Sequence, residues 1–442
     1  MKEKSFDVLV KSLLIATTLW LLMPSIVWAA QDTDARIKKF EAQLQALQTE
    51  LAKLKPDLGP SDFRVFWKEG LRFESQDGNF KLKFGGRIQN DWMWISEDDD
   101  LKRDVVGGSA LGDQQDGTEF RRARFYTSGL IYNNVEYKLQ FDFAGGDADL
   151  KDAYLGLTDF PIGKLRFGHF KEPFSLEELT SSKYITFLER ALPNVFAPGR
   201  NAGFMLHGTA LAASDPRMTW AAGIFRDTDG YGEGQDDGGY NLTGRVTGLP
   251  WYEDNGASLL HVGVAYSHRN PNNETVSFAT EPEAHLADDF VSTGSVGSDR
   301  INLVGLEAAC VAGPFSLQGE FIHSNVDLTS SSADLDGYYV QASYFLTGEH
   351  RKYKTSTGTF DRVKPKENFL FGDGPGAWEL AGRYSNVDLD DGTISGGELD
   401  NVALGLNWYL NPNMRIMWDY VHSSKDNVGN ADMLLMRLQV DF

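Results

Sequence analysis

The chain is almost without cysteine. Cys310 is the single thiol in 442 residues, so no internal disulfide framework and no Cys-rich metal site can be built. Positive charge is also in short supply. There are 42 Lys and Arg against 63 Asp and Glu, a net charge of -21. That balance argues against nucleic acid as a partner, because a phosphate backbone needs a basic surface. Long apolar runs are missing after the first 30 residues, and a mean hydropathy of -0.34 excludes a bundle of membrane helices. It does not exclude a membrane barrel, whose strands alternate apolar and polar residues and average out as mildly polar. Gly-x-Ser-x-Gly, His-Glu-x-x-His and Walker motifs are absent, so neither an enzyme nor a cofactor is expected. His169, His207, His261, His268 and His323 are scattered and read as wall residues rather than catalysts, and Cys310 as a small packing residue. What is present is 45 Gly, few Pro (15) and 12% aromatic residues, a composition that suits a barrel.

The N-terminus holds two segments of different character. Lys2, Lys4 and Lys11 lead into Ser12-Leu-Leu-Ile-Ala-Thr-Thr-Leu-Trp-Leu-Leu-Met23, and small residues follow at Ala29 and Ala30. This reads as a signal peptide over 1–30, cleaved at Ala29 or Ala30; an uncleaved anchor is disfavoured because the apolar run is short. In 31–55, Ile37, Phe40, Leu44, Leu47, Leu51 and Leu54 recur at alternating steps of three and four. That stripe predicts a coiled-coil helix, ended by Pro56 and Pro60. Residues 56–78 form a linker, with an extra strand or hairpin at 64–74.

From 79 to 442 the rhythm changes to a period of two. In Val135-Glu-Tyr-Lys-Leu-Gln-Phe-Asp-Phe143, the odd positions are Val, Tyr, Leu, Phe and Phe, and the even ones are Glu, Lys, Gln and Asp. Successive strand side chains point to opposite faces, so one face is oily and the other ionic. Sixteen such runs follow one another, from 79–95 to 432–442. The expected fold is all-β: a 16-stranded antiparallel transmembrane β-barrel preceded by the coiled-coil helix. Connections alternate between short turns, such as Asn133-Asn134 and Asn411-Pro412, and long loops at 96–117, 171–202, 227–239, 269–299 and 388–398. One connection, 349–375, should be short and is long. Trp92, Trp94, Tyr132, Trp251, Tyr252, Trp408, Tyr409 and Trp418 fall near strand ends, where interfacial girdles form. The last strand ends on Phe442, with Val440, Leu438, Met436 and Leu434 sharing its face. A terminal aromatic on an alternating strand looks like a barrel assembly signal.

Several segments carry a family resemblance: Glu119-Phe-Arg-Arg-Ala-Arg-Phe125, Phe167-Gly-His-Phe-Lys-Glu-Pro-Phe174, Thr180-Ser-Ser-Lys-Tyr-Ile-Thr-Phe-Leu-Glu-Arg190, Tyr344-Phe-Leu-Thr-Gly-Glu-His350 and Gly376-Ala-Trp-Glu-Leu-Ala-Gly-Arg-Tyr384. In order and content they resemble the phosphate-selective porin O and P family of Gram-negative outer membranes. The resemblance implies a homotrimeric channel set among outer-membrane lipid and lipopolysaccharide. It also implies a pore narrowed by an inward-folded third loop, and orthophosphate or polyphosphate as solute.

A pore lining sets selectivity, and basic residues favour anions. Parity places Arg122 and Arg124 toward the lumen, together with Lys81, Lys83, Arg87 and Lys138. Arg121 has the opposite parity near a strand end, so its direction stays open. Arg121 and Arg122 match the basic pair of the family motif. The constriction loop is expected at 171–202, with Lys171 and Lys183 at the narrow point. For Arg190 a structural tie to Glu178 or Glu189 is the better reading. The basic stretch in 349–375 reads equally as an anion-drawing mouth, a partner site or a solvated loop. Against anion selectivity stand the acidic outer loops: Glu97-Asp-Asp-Asp100, Asp236-Asp237, Asp288-Asp289 and Asp390-Asp391. They suit divalent cations that bridge lipopolysaccharide, or mere solvation. The alternatives are a pore of the same fold for organic acids or sugars, and an envelope tether acting through the coiled coil.

Overall fold

The computed structural model describes residues 42–43, 45–46, 63–211, 215–235, 239–329, 331–369 and 374–442. The expected signal peptide lies outside the described residues, as do Asp236-Asp237. So does most of the expected coiled coil. Only Ala42, Gln43, Gln45 and Ala46 are described there, as exposed helix. The chain divides into two units, Met1–Gly59 and Pro60–Phe442.

The second unit opens with a hairpin, β1 (Phe63–Trp67) and β2 (Leu71–Ser75), the extra element expected at 64–74. The closed sheet follows: β3 (Lys81–Glu97), β4 (Gly117–Ile131), β5 (Val135–Asp142), β6 (Asp149–Phe160), β7 (Gly163–Lys171), β8 (Arg200–Ala210), β9 (Met218–Arg226) and β10 (Asn241–Glu253). Next come β11 (Ser258–Arg269), β12 (Arg300–Ala312), β13 (Phe315–Asp327), β14 (Ser332–Phe345), β15 (Ala377–Asp391), β16 (Ile394–Asn411), β17 (Met414–Lys425) and β18 (Gly429–Asp441). Each pairs antiparallel with the next. β18 closes on β3, from Ala431 opposite Glu97 to Asp441 opposite Arg87. The barrel therefore has sixteen strands, β3 to β18. β2 pairs with the start of β3, beyond the end of β18.

Burial follows the period of two. On β18, Leu434, Leu438 and Val440 are 48%, 39% and 38% exposed, whereas Arg437 and Asp441 are 0% and 3% exposed. The polar residues are inside and the oily ones outside. Each outward Val, Leu or Phe would forgo about 1.5–3 kcal/mol of burial in water. A continuous ring of them is stable only against acyl chains. Trp92, Trp94, Tyr132 and Trp251 lie exposed on that outer face. Tyr409 departs from the girdle expectation. It turns inward and donates to Glu379 at 2.8 Å, because its odd position shares the inner face with Asn407.

Three connections differ from the sequence reading. The stretch 388–398 is not a loop: β15 and β16 run on through it with a bulge at Asp388/Asp390 and turn within two residues. The loop 270–299 folds inward rather than lying in solvent. Phe278 and Phe290 are buried, and Phe278 packs edge-on against Phe196 of the constriction loop at 5.1 Å. The described part of the long connection 346–376 also folds inward, with Arg351, Tyr353, Phe360 and Arg362 buried, while Lys354, Lys364 and Lys366 stay exposed. The acidic outer residues act largely as backbone acceptors and ties. Asp391 takes the N–H of Asp334 (2.8 Å), Asp98 that of Asn430 (2.9 Å) and Glu97 that of Gln114 (2.8 Å).

Candidate functional site

The constriction loop, 172–199, leaves β7 and crosses the barrel. Glu172 anchors its start, accepting from Asn201 (2.7 Å) and Arg269 (3.0 Å). A single helical turn, Leu176–Leu179, is capped by Ser175, and its first N–H groups are taken by Glu320 of β13 at 2.9 and 2.7 Å. From there the loop is a ribbon whose carbonyls are met one after another by wall side chains. Gln89 donates to Ser182 O (3.1 Å), Gln439 to Lys183 O (3.2 Å), Arg415 to Ile185 O (2.9 Å) and Asn407 to Thr186 O (2.8 Å). Arg437 donates to Leu188 O, and Arg383 to Glu189 O at 3.1 Å. A loop in a pore cannot form a sheet ladder, so the wall supplies its hydrogen bonds instead. Arg383, Arg415 and Arg437 are therefore tethers. Sequence reasoning passed over them, although their inward parity was readable.

Beside this ribbon lies a cavity of 720 Å³. Eleven Arg and Lys line it against three carboxylates, Glu136, Asp152 and Asp361. Asp142 and Glu307 on the wall strands and Glu178 and Glu189 on the constriction loop pair with some of these cations, leaving eleven against seven. Among the expected residues, Arg87, Arg122, Arg124, Lys138 and Lys171 line the cavity. Arg87 donates through Nη1 to Ser182 Oγ (2.6 Å) and Ser181 Oγ (3.3 Å), and has no carboxylate within ion-pair distance among the described residues. Arg124 pairs with Asp142 at 2.6 Å. Arg200 (2.8 Å) and Lys138 share Asp152. The group of Arg87, Arg124, Arg200 and Lys138 thus carries two more positive than negative charges. Lys164, Arg166 and Arg245 also line the cavity. They were missed, yet Lys164 and Arg166 alternate with the outward Leu165 and Phe167.

The remaining expected residues sit elsewhere. Lys81 lies at the rim, 3.7 Å from Glu74, and Lys83 is over the Tyr126 ring; neither lines the cavity. Arg121 is the extra residue of a bulge, since β3 pairs Gln89 with Arg122 and Asn90 with Phe120. A bulge re-aims a side chain. Here it lets neighbouring arginines reach the same acid: Arg121 meets Glu189 at 3.0 Å and Arg122 meets it at 3.6 Å. Burial would raise the Glu189 carboxyl, but Arg121, Arg122 and Arg437 outweigh it and hold it well below the usual range. Lys171 is tied to Glu178 at 2.7 Å, and Arg190 meets the same carboxylate at 3.1 Å. Against the cost of burial, those two cations bring Glu178 down to about 2. Arg190 thus has Glu178 as its partner, not Glu189.

Lys183 points away from the cavity, to Asp441 at 3.1 Å. Burial pushes its ammonium down to about 8; Arg87 and Arg362 add to this and Asp441 opposes it. Lys183 is therefore charged at pH 7 and loses its proton as pH rises through about 8. Anion preference, measured as the reversal potential in a chloride gradient, is expected to fall between pH 7 and 9. Chloride does not titrate there, so the change belongs to the protein. A flat profile would remove Lys183 from the pore field.

Residues 97–442 match the family described as phosphate-selective porin O and P. The chain belongs to that family. Porin O of Pseudomonas aeruginosa is 28% identical over 425 residues, covering 86% of this chain and 93% of that protein. An uncharacterized protein of Caulobacter vibrioides is 28% identical over 414 residues, covering 88% of this chain and 78% of its own length. Among solved structures, an anion-selective porin from Comamonas acidovorans superposes with a TM-score of 0.51 at 12% identity, over 82% of this chain and all of that one. At that identity the likeness concerns the fold alone. The porin fold, the inverted burial and the family place this chain in the outer membrane as a channel.

Proposed function

We propose that this outer-membrane porin passes anions by passive diffusion and favours phosphate. The observation that carries the reading is the cationic cavity inside a chain of net charge -21. Low-dielectric walls focus local charge, while the acidic loops are screened over about 8–10 Å of salt solution. Arg87 is a donor without a counter-ion, and the surplus of two charges that it and its neighbours Arg124, Arg200 and Lys138 carry matches a doubly charged phosphate. Arg forks suit phosphate oxygens in pairs. Basic groups continue to Lys164 and Lys354, neither of which has an ion-pair partner among the described residues, and this spread also suits polyphosphate. We read 1–30 as the export signal and 31–55 as the assembly helix of a homotrimer.

Planar bilayers test the reading. Reversal potentials in a potassium chloride gradient are expected on the anion side. Added phosphate should block chloride current at concentrations far below that of chloride. Cation preference would end the anion reading. Anion preference without phosphate block would leave a general anion pore.

A further inference from the structure

The penultimate residue joins parts of the pore that are far apart in sequence. Asp441 lies on the inner face of β18, buried, one position before the terminal Phe442. Its backbone is fixed: its N–H donates to Asn413 O at 2.8 Å, and its C=O accepts from Asn413 Nδ2 at 2.7 Å. Its carboxylate meets Lys183 of the constriction loop at 3.1 Å. It also takes both Nη groups of Arg362, from the inward-folded 346–376 connection, one of them at 3.0 Å. Arg362 in turn donates to Tyr184 OH at 3.1 Å, back on the constriction loop.

One carboxylate thus serves two cations. The Arg362 fork occupies both oxygens, and Lys183 makes a third contact on Oδ2. Ser182 and Tyr184 line the cavity on either side of Lys183, but Lys183 does not, and its side chain is only 10% exposed. A lysine head is a strongly hydrated point charge on a flexible stem, and it turns from an aqueous cavity to a wall only when something there holds it.

We propose that Asp441 is a positioning residue for permeation: it withholds the Lys183 ammonium from the cavity and ties the constriction loop to the inward-folded connection. The proposal rests on the anion-pore reading and refines it. The loop, the connection and the closing strand meet at this carboxylate, so the narrow point takes its charge from a residue outside both narrowing segments.

Asp441→Asn keeps size and backbone bonds but removes the charge. Lys183 is then free to turn into the cavity. The phosphate concentration that half-blocks chloride current is expected to fall roughly tenfold, the scale of one charge-assisted hydrogen bond. The chloride reversal potential should move further to the anion side. In Asp441→Asn/Lys183→Met the net charge of the node is that of the wild type, and both readings should return near wild-type values. A merely structural role would instead lower stability equally in both variants and leave the block unmoved. If Asp441→Asn does not assemble, Arg362→Gln serves. It leaves Asp441 to Lys183 alone and cuts the tie, so block should weaken several-fold and open-channel conductance should rise. An unmoved block and reversal potential in the assembled variants, or an Asp441→Asn shift that persists without Lys183, overturns the proposal. A wild type that phosphate does not block at all refutes the phosphate reading instead. In that case the chloride reversal potentials still decide the role of Asp441.

Discussion

Arg87→Met is expected to raise the phosphate concentration that half-blocks chloride current by roughly 10- to 100-fold, the equivalent of losing about 1.5–3 kcal/mol of hydrogen bonding to a charged group. The argument is one of charge. Arg124 is neutralised by Asp142, and Arg200 and Lys138 divide Asp152, but Arg87 meets only the hydroxyls of Ser181 and Ser182. Removing it takes one of the two uncompensated charges from this group of cations. Because Arg87 has no ion-pair partner, its loss strands no buried carboxylate. Barrel stability should therefore change little, unlike the usual result of breaking a buried pair. Arg87→Lys keeps the charge and loses the planar fork, so it should fall between the two. Single-channel recordings with phosphate titrated against chloride read all three. Equal block in Arg87→Met and wild type would show that the uncompensated charge lies elsewhere.

How much of this was legible in the sequence depends on the kind of residue. Strand parity is a strict two-residue code wherever one face meets lipid, so the sixteen strands and the inward direction of Arg87, Arg122 and Arg124 could be read directly. The code breaks at a bulge, and Arg121 sits on one. Its direction was open because a bulge is set by the pairing partner, not by local composition. Loops obey no such period. The inward fold of 270–299 had a signal in Phe278 and Phe290, large apolar residues that an exposed loop does not need. The inward fold of the 346–376 connection was signalled by Tyr353 and Phe360 between its lysines and arginines. Partner choice was least legible. That Lys183 would turn to Asp441 depends on two positions 258 residues apart in sequence. That Arg383, Arg415 and Arg437 would hold loop carbonyls instead of solute depends on the path of the loop. Inward-facing arginine has two roles here, tether and lining, and sequence parity cannot separate them.

Arg437→Met tests that separation on the tether side. Arg437 is 0% exposed and joins three acceptors: Asp91 through paired bonds including one of 2.7 Å, Glu189 at 2.7 Å, and the carbonyl of Leu188. Glu189 keeps Arg121 and Arg122 when Arg437 is lost, but Asp91 has no other ion-pair partner among the described residues. Breaking a buried pair in this way costs about 3–5 kcal/mol, chiefly through the carboxylate left behind. The variant should unfold at distinctly lower temperature, followed by the heat-dependent gel mobility of the folded barrel. It should also free the 188–189 end of the constriction ribbon. Open-channel conductance is then expected to rise several-fold and phosphate block to weaken, although Arg437 never touches the cavity. The double variant Asp91→Asn/Arg437→Met removes the stranded charge. It should recover much of the lost stability and none of the lost block, because the bonds to Leu188 O and Glu189 stay broken. Recovery of both together would mean that Arg437 acts only through the fold of the barrel. Stability regained with the pore still wide would show that the wall arginines hold the constriction in place.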